Sequence, residues 1–458
     1  MKPVRALLLV VASLACGDPS LQPVAPGPNV ILIVVDTLRA DHLSQYGHSR
    51  DTSSALSRLS DASVRFEDCT SPAPWTAPSV ASLFTGLAPA RHQVDRVGSA
   101  LSPGVETLAE TLQRAGWNTA AFSFNPHITR RAHFDQGFDE FVSYRGRAQR
   151  APDIRDMLRE AWRWIATEAR RPFFLYLQPM NAHGPYRVPE DARSLLLGRP
   201  PVEGFEFFGP LMKGLLHEGR IELREEVSAE TRQSLEEQYD TAVRHTAGEL
   251  AAFFHSLESS GLWDSSLVVL TADHGEELFD HGGFSHRYSL HREVVHVPLF
   301  VKLPSPGRTG VIHEPVSLTD LHPTILELLG LAAGETDGRS LAPFLTDAPV
   351  PESLRNRPFV SSVHNPGRCQ ARALRHGRHR LLVIERNYEG LENASFLYDL
   401  EADPGETRDL RNQRPKIFAQ LLSELHAIED APSNRPEPRV RYRVNPDERA
   451  ALEALGYF

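Results

Sequence analysis

The chain has 458 residues, 41% hydrophobic and 24% charged, which is enough for a large α/β domain with a smaller companion and excludes wholesale disorder. Its formal net charge is -10 and no basic stripe stands out, so a nucleic acid is not the expected partner. An acidic balance still allows an anionic substrate, because a bound metal ion can dominate the local field.

The N-terminus, residues 1–16, has the pattern of an export signal. Lys2 and Arg5 precede a short apolar stretch that could not span a bilayer as a helix. Two interpretations of Cys16 stay open: a lipidated cysteine of a lipoprotein, or an incidental residue after a plain cleaved signal. The Pro/Gly-rich residues 17–28 are predicted to form a linker. We therefore expect an exported protein, periplasmic or anchored in the envelope as a lipoprotein, with no other membrane attachment.

Apolar runs separated by helical or loop segments predict buried strands. The runs are Val30–Val35, Thr119–Phe122, Phe173–Leu177, Leu267–Leu270 and Pro298–Val301. Helices are predicted at Ser53–Ala62, Val105–Ala115, Ser234–Ser259 and Leu318–Leu329. This alternation is typical of a large, mostly parallel sheet flanked by helices, the α/β fold class. We place this domain at 29–345, with an insertion at about 187–230 near the mouth of the site.

The pattern changes after residue 345. A strand, a turn at His376-Gly377 and a second strand are predicted within Ala371–Val383, followed by a third strand at Asn393–Leu400. A helix is predicted at Pro415–Glu429. Residues 346–458 therefore indicate a smaller C-terminal α+β subdomain with an antiparallel sheet and an extended tail over residues 431–446.

Two cysteines, Cys69 and Cys369, lie beyond the export signal. An oxidising compartment would permit a disulfide between them, but sequence alone cannot bring the two residues together. We interpret both residues as free, buried thiols.

Polar side chains follow three of the predicted strands. Asp36 comes directly after the first strand, Asp273 and His274 follow the fourth, and His183 lies in the loop after the third. Ligands of open α/β sheets bind outside the carboxyl ends of the strands, so these side chains are expected to converge. Two aspartates and a histidine form a plausible set of ligands for a divalent metal.

Thr76 supplies a candidate reactive group. It precedes Ala77-Pro78-Ser79, and proline is favoured in the first turn of a helix, which would end at Gly86. Thr76 is therefore predicted at or beside a helix N-terminus, where backbone N–H groups and the helix dipole stabilise an oxyanion. The alternative is that Thr76 only caps the helix.

Six segments, in this order, resemble the sulfatase branch of the alkaline phosphatase superfamily. They cover the first metal-binding turn, the sulfatase signature, a substrate-contacting loop, the second metal-binding segment and two C-terminal motifs: 29–47, 76–92, 183–186, 271–286, 397–410 and 454–458. The resemblance implies a sulfatase-like fold and an ester hydrolase.

The resemblance also implies the roles of individual residues. One divalent metal ion would be bound by Asp36, Thr76, Asp273 and His274. The donor types suit Zn²⁺ or Mn²⁺ better than Ca²⁺. Thr76 stands at the nucleophile position, and His183 and His286 would contact the oxygens of the sulfate or phosphate group and take part in catalysis.

Several positions depart from the sulfatase pattern. Thr76 replaces the cysteine or serine that becomes formylglycine, and Val80 replaces the signature arginine. Thr37 and His274 replace an aspartate and an asparagine. No formylglycine is therefore expected. The metal set resembles that of the phosphoethanolamine and glycerophosphate transferases, which use an unmodified threonine, and that of the phosphonate monoester hydrolases.

The sequence thus predicts a metal-dependent hydrolase of sulfate or phosphate esters in which the Thr76 alkoxide forms a covalent ester that water releases. The substrate would be a sulfated or phosphorylated small molecule, glycan or lipid. Two alternatives stay open: a phosphoryl-group transferase with a threonine nucleophile, and an inactive sulfatase fold that binds an anionic glycan.

Other polar residues are assigned ordinary roles. Glu276 and Glu277 are predicted to cap a following helix or to face solvent. His281 could hold a metal ligand in place without binding the metal itself. The remaining loop histidines are predicted to be solvated or structural: His42, His92, His127 and His322.

Overall fold

The computed structural model describes residues 27–143, 153–186, 188–189, 192, 227–365, 369–386, 391–431 and 436–454. The predicted export signal 1–16, nearly all of the linker 17–28, most of the insertion at 187–230 and residues 455–458 of the last motif lie outside these described residues. Across the described ranges, no helix combines the length and apolarity that a membrane crossing requires.

The strands of the described residues form one large sheet, one smaller antiparallel sheet and two short pairs. They are β1 (Asn29–Val35), β2 (Val64–Thr70), β3 (Ser99–Ala100), β4 (Asn118–Ser123), β5 (Glu140–Ser143), β6 (Phe173–Gln178), β7 (Ser266–Ala272), β8 (Glu277–Leu278), β9 (Phe284–Ser285), β10 (His296–Lys302), β11 (Gly310–Ile312), β12 (Val316–Ser317), β13 (Phe359–Asn365), β14 (Cys369–His376), β15 (His379–Arg386), β16 (Glu392–Asp399) and β17 (Val440–Arg441).

The α-helices in the same part of the chain vary widely in length. They are α1 (Ser57–Asp61), α2 (Thr76–Thr85), α3 (Pro89–His92), α4 (Leu108–Arg114), α5 (Ile154–Thr167), α6 (Ala229–Ser259), α7 (Arg292–Val295), α8 (Leu321–Leu328), α9 (Ala342–Leu345), α10 (Glu352–Arg355), α11 (Pro415–Glu429) and α12 (Pro446–Ala454). The predicted helix at Ser53–Ala62 is a 3₁₀ turn followed by the short α1. The helix predicted from Ser234 begins earlier, at Ala229, because Ser228 caps it there.

The large sheet has the order β11-β2-β10-β7-β1-β6-β4-β5, with β12 beside β2. All of its pairings are parallel except those of β10, which runs antiparallel to both β2 and β7. Every residue of β1 and β7 is buried, as their continuous apolar sequences require in the middle of a sheet covered on both faces. The α/β fold with a mostly parallel sheet is confirmed, and the strands β2, β5, β11 and β12 are additions to the prediction.

The C-terminal subdomain contains the antiparallel sheet β13-β14-β15-β16. The predicted strand-turn-strand is confirmed, and its turn includes Gly377 at a φ of +59°. Helix α11 packs on the sheet around a separate core, whose buried residues include Leu374, Leu381, Leu397 and Leu425. The tail returns to the main domain, where β17 pairs with β3. Cys69 and Cys369 are both buried thiols outside any disulfide of the described residues, as predicted.

Candidate active site

The register of two central strands brings the predicted metal ligands together. Strands β1 and β7 are parallel neighbours, and Val35 pairs with Ala272. The next residue of each strand, Asp36 and Asp273, therefore leaves the sheet at the same edge. Ligand atoms of Asp36, Asp273 and His274 all lie within 4.8 Å of one another, and all three residues are fully buried.

Thr76 is the first residue of α2 and is fully buried. Its Oγ1 lies 3.4 Å from Nε2 of His274 and accepts a hydrogen bond of 3.0 Å from Nδ2 of Asn125. The N-cap position belongs to Trp75, so the Thr76 hydroxyl faces the carboxylate cluster and does not cap the helix. The helix ends at Gly86 with a φ of +69°, as predicted.

Hydrogen bonds from surrounding elements fix Asp273 in place. Its Oδ1 accepts from the backbone N–H groups of Thr37, at 3.2 Å, and His274, at 2.9 Å. The hydroxyl groups of Ser71 and Ser79 each donate to its backbone oxygen at 2.6 Å. Because Ser79 belongs to α2, this contact joins the helix that carries Thr76 to the end of β7.

Thr37, which stands where sulfatases carry a second aspartate, has a tethering contact in this chain. Its hydroxyl donates to the backbone oxygen of Ala182 at 2.7 Å. Ala182 precedes His183, so Thr37 links the turn after β1 to the loop that carries this histidine. The Thr37 side chain therefore attaches the His183 loop to the turn after β1.

The electrostatics of the cluster fit a cation. Burial, reinforced by Asp273, raises the pKa of Asp36 well above its ordinary value. Burial also raises the pKa of Asp273 to about 7. Oδ1 of Asp36 is buried without a hydrogen-bond partner in the described part of the chain. Two crowded carboxylates, an unsatisfied oxygen and an imidazole are donors suited to a divalent metal ion.

Three histidine rings lie close together beside the carboxylates of Asp36 and Asp273. The ring of His286 lies 4.6 Å from that of His274 and 4.9 Å from that of His183, measured between centroids. Burial lowers the pKa of His183 to about 4 and that of His274 to about 3, and it lowers that of His286 well below its ordinary value. The structure thus brings together every residue that the sequence analysis assigned to the site.

Two amides at the site were not predicted. Asn125, just after β4, donates to Oδ2 of Asp36 at 2.6 Å as well as to Thr76. Gln178, the last residue of β6, donates to Oδ2 of Asp36 at 3.3 Å and to Oδ2 of Asp273 at 3.4 Å. Both follow apolar runs that had been identified as strands, so the strand-end rule applied to amides would have found them.

The prediction for Glu276 and Glu277 is wrong. Both are buried, and no helix follows them, because β8 and β9 form a hairpin at this point. Oε1 of Glu277 accepts from the backbone N–H of Gly283 at 2.7 Å. Oε1 of Glu276 lies 3.1 Å from Nδ1 of His286.

The histidines predicted to be solvated or structural are structural, and none of them is solvated. All four rings are buried: His42, His92, His127 and His322. As examples, Nδ1 of His42 lies 2.6 Å from Asp240, and Nδ1 of His322 donates to the backbone oxygen of Phe84 at 2.8 Å. His281 contacts Glu293 at 2.7 Å and stacks on His291, so its contacts are not with the metal ligands.

Comparison with known proteins agrees with this fold. Residues 28–331, more than half of the chain, match the model of the family described as Sulfatase. Residues 279–431 match the model of the N-sulphoglucosamine sulphohydrolase C-terminal region. The chain therefore belongs to the sulfatase family. It is an enzyme of the class that hydrolyses sulfuric and phosphoric esters.

Individual relatives are distant. Arylsulfatase K of Mus musculus is 23% identical, in an alignment that covers 93% of this chain and 85% of that protein. Arylsulfatase K of Danio rerio is 28% identical over 200 residues, covering 43% of this chain and 37% of that protein.

Solved structures of low identity share the fold. The phosphonate monoester hydrolase of Agrobacterium radiobacter has a TM-score of 0.73 at 21% identity, and the superposition covers 88% of this chain and 95% of that chain. A 2-O GAG sulfatase has a TM-score of 0.70 at 21% identity, covering 88% and 92% respectively.

Proposed function

We propose that this chain is a metal-dependent hydrolase of sulfate or phosphate esters in which Thr76 is the nucleophile. The supporting observation is the position of Oγ1 of Thr76. It lies at the start of α2, 3.4 Å from Nε2 of His274 and 3.0 Å from Nδ2 of Asn125. A hydroxyl group beside metal-type ligands at a helix N-terminus is suited to attack an anionic ester.

The donors proposed to hold the metal are Asp36, Asp273, His274 and the hydroxyl of Thr76. A divalent cation bound there would supply Lewis acidity toward the hydroxyl and the ester oxygens. We favour Zn²⁺ or Mn²⁺ over Ca²⁺ because the set includes an imidazole nitrogen.

The chain's own residues position the reaction. Asn125 orients the Thr76 oxygen, which would bond to sulfur or phosphorus while the bond to the leaving oxygen breaks. His183 and His286 would contact the non-bridging oxygens. The Thr76 hydroxyl would lose its proton to one of these neutral imidazoles, and the resulting imidazolium would give that proton to the leaving oxygen. The first turn of α2 adds N–H groups and the positive end of its dipole.

A plain threonyl ester imposes a chemical requirement. It lacks the geminal hydroxyl of formylglycine and must be released by attack of water on sulfur or phosphorus. This requirement favours phosphoryl esters over sulfuryl esters. The proposed substrates are sulfated or phosphorylated small molecules, glycans or lipids, and one solved neighbour is a complex with D-glucosamine-2-N,6-O-disulfate.

The decisive experiment is a panel assay of metal-reconstituted protein. It compares an aryl sulfate, a phosphate monoester, a phosphodiester and a phosphonate ester. Thr76→Ala should lower kcat on the best substrate by at least about 10³-fold, whereas Thr76→Ser, which keeps a hydroxyl, should retain activity. Undiminished turnover by Thr76→Ala would contradict the assignment of Thr76 as the nucleophile. The mass of the peptide containing Thr76 checks that this residue is unmodified.

The same panel separates the alternatives. Free anion released without an added alcohol indicates a hydrolase, and product formed only with an acceptor alcohol indicates a transferase. Binding of an anionic glycan without turnover of any ester indicates an inactive sulfatase fold.

We also propose export to the periplasm or envelope, on the basis of residues 1–16. The mass of the mature N-terminus tests this proposal. A lipid on Cys16 supports anchoring, an unmodified N-terminus after cleavage supports a plain signal, and an intact Met1 contradicts export.

A further inference from the structure

Glu276 is a fully buried carboxyl group that has no part in the function proposed above. Burial of a carboxyl group is costly unless polar groups compensate for the lost water. Its Oε1 lies 3.1 Å from Nδ1 of His286, one of the histidines of the proposed site.

The register of a hairpin produces this contact. Glu277 of β8 pairs with Ser285 of β9 in an antiparallel arrangement. The next residues outward, Glu276 and His286, therefore lie opposite each other, within reach of a side-chain contact. The short hairpin thus places the carboxyl group beside the imidazole.

The three site histidines are anchored in different ways. Nδ1 of His183 contacts the backbone oxygen of Gly184 at 2.6 Å, and Nδ1 of His274 contacts that of Gly275 at 2.8 Å. In both cases the acceptor belongs to the following residue of the chain. The corresponding contact of His286 is made by a side chain, so it can be removed by substitution.

Anchoring at Nδ1 decides which edge of a ring is presented to the site. The torsion that rotates an imidazole has broad, nearly two-fold preferences, so an unanchored ring can turn over. With Nδ1 held by Glu276, Nε2 is on the opposite edge of the His286 ring. That ring is packed against His274 and His183, with centroids 4.6 Å and 4.9 Å away.

We propose that Glu276 is a positioning residue that holds the His286 ring with Nε2 directed toward the ester attacked by Thr76. This inference rests on the proposed function. It assigns Glu276 an effect on turnover that is exerted entirely through His286. A residue that only stabilises the fold would act independently of that histidine.

A double-mutant cycle on the metal-loaded full chain tests this coupling. Glu276→Leu should lower kcat on the best ester of the panel about 10- to 100-fold, with a smaller change in KM. In the His286→Ala background the same substitution should cause no further loss. Glu276→Gln, which keeps a polar contact to Nδ1, should restore most of the turnover. Equal losses in the two backgrounds would overturn the proposal.

Glu277→Leu is the matched control, because Glu277 is the neighbouring buried glutamate and contacts Gly283. Its effect should be the same with and without the His286→Ala change. If circular dichroism shows that Glu276→Leu does not fold, Glu276→Met takes its place in the cycle.

A readout without turnover separates this inference from the proposed function. The ¹⁵N resonances of the His286 ring should shift in Glu276→Leu and stay in place in Glu277→Leu. Unchanged resonances in Glu276→Leu contradict the anchoring. If no ester is turned over, the proposed function fails, and the resonances still decide whether Glu276 holds the ring.

Discussion

Asp273→Asn should stabilise the metal-free protein increasingly as the pH rises. Burial raises the pKa of Asp273 from its ordinary 3.8 to about 7. A raised carboxyl pKa means that the folded state holds its proton more tightly than the unfolded state. The resulting stability is complete below pH 3.8 and is lost as the pH rises toward 7.

The magnitude follows from the shift. Each pKa unit corresponds to about 1.4 kcal/mol. The rise of the Asp273 pKa from 3.8 to about 7 therefore lowers the free energy of unfolding by about 4 kcal/mol above pH 7. Between pH 5 and pH 7 the variant should gain about 2 kcal/mol relative to the parent chain. Asparagine keeps an oxygen that can accept from the backbone N–H groups of Thr37 and His274, so the comparison isolates the charge.

Thermal unfolding in a chelator, measured from pH 5 to pH 7, tests this prediction. Asp280→Asn is the control, because the pKa of Asp280, beside Arg39, is lowered from its ordinary value and its contribution is constant in this range. With saturating metal the parent chain should become more stable than Asp273→Asn, since only the parent chain keeps both carboxylates for the cation. A difference in stability between Asp273→Asn and the parent that does not change with pH in chelator would contradict the raised pKa of Asp273.

Two further predictions concern the amide at the nucleophile and a distant ion pair. Asn125→Ala should lower kcat by about 10- to 100-fold, because it removes donors to Asp36 and to Thr76, and steady-state kinetics with a metal-content measurement checks it. Arg380→Met should lower the free energy of unfolding by about 3–5 kcal/mol, because it leaves the buried Glu406 carboxylate with fewer partners. Arg378→Met, at an exposed pair, should leave the free energy of unfolding nearly unchanged in the same assay. Equal effects of the two arginine substitutions would contradict the burial argument.

Much of the fold could be predicted from local sequence because its central strands are continuous apolar runs. Strands β1, β6 and β7 are buried on both faces, so their sequences carry a strong signal. Strand β2 does not, because its residues alternate with charged side chains and its place depends on pairing with β10, which is remote in the sequence. Strand β13 has the same difficulty, since its partner β14 defines it.

The candidate site was predictable wherever a polar residue directly ends a recognisable strand. Asp36 and Asp273 meet this condition, and the pairing of β1 with β7 brings them together. Glu276 does not meet this condition, because its burial depends on a hairpin whose strands have only two residues each, too few to show any periodicity in the sequence. In isolation a pair of adjacent glutamates has the composition of a solvated turn, which is why the sequence favoured exposure.

Fold similarity does not choose between sulfate and phosphorus chemistry, because a phosphonate monoester hydrolase and a 2-O GAG sulfatase match with TM-scores of 0.73 and 0.70. The charges of the site are more selective. Two carboxylates would balance a divalent cation, and burial keeps His183 neutral near pH 7. The pKa of Glu276 is raised by burial to about 8, so it too is largely uncharged there. Arg287, which lies over the Trp75 ring at 4.9 Å and reinforces burial in lowering the pKa of His274, is a cation close to the metal ligands in the described part of the chain.

A site whose described charges nearly cancel once a divalent cation is bound complements a single negative charge better than two. A sulfate monoester, a phosphodiester and a phosphonate monoester each carry one negative charge near neutral pH, whereas a phosphate monoester carries close to two. We therefore expect the singly charged esters to precede the phosphate monoester in kcat/KM. Arg287→Met should lower kcat/KM more for the doubly charged phosphate monoester than for the singly charged esters, without abolishing turnover, because the guanidinium contributes charge near the site while Thr76 supplies the reacting oxygen.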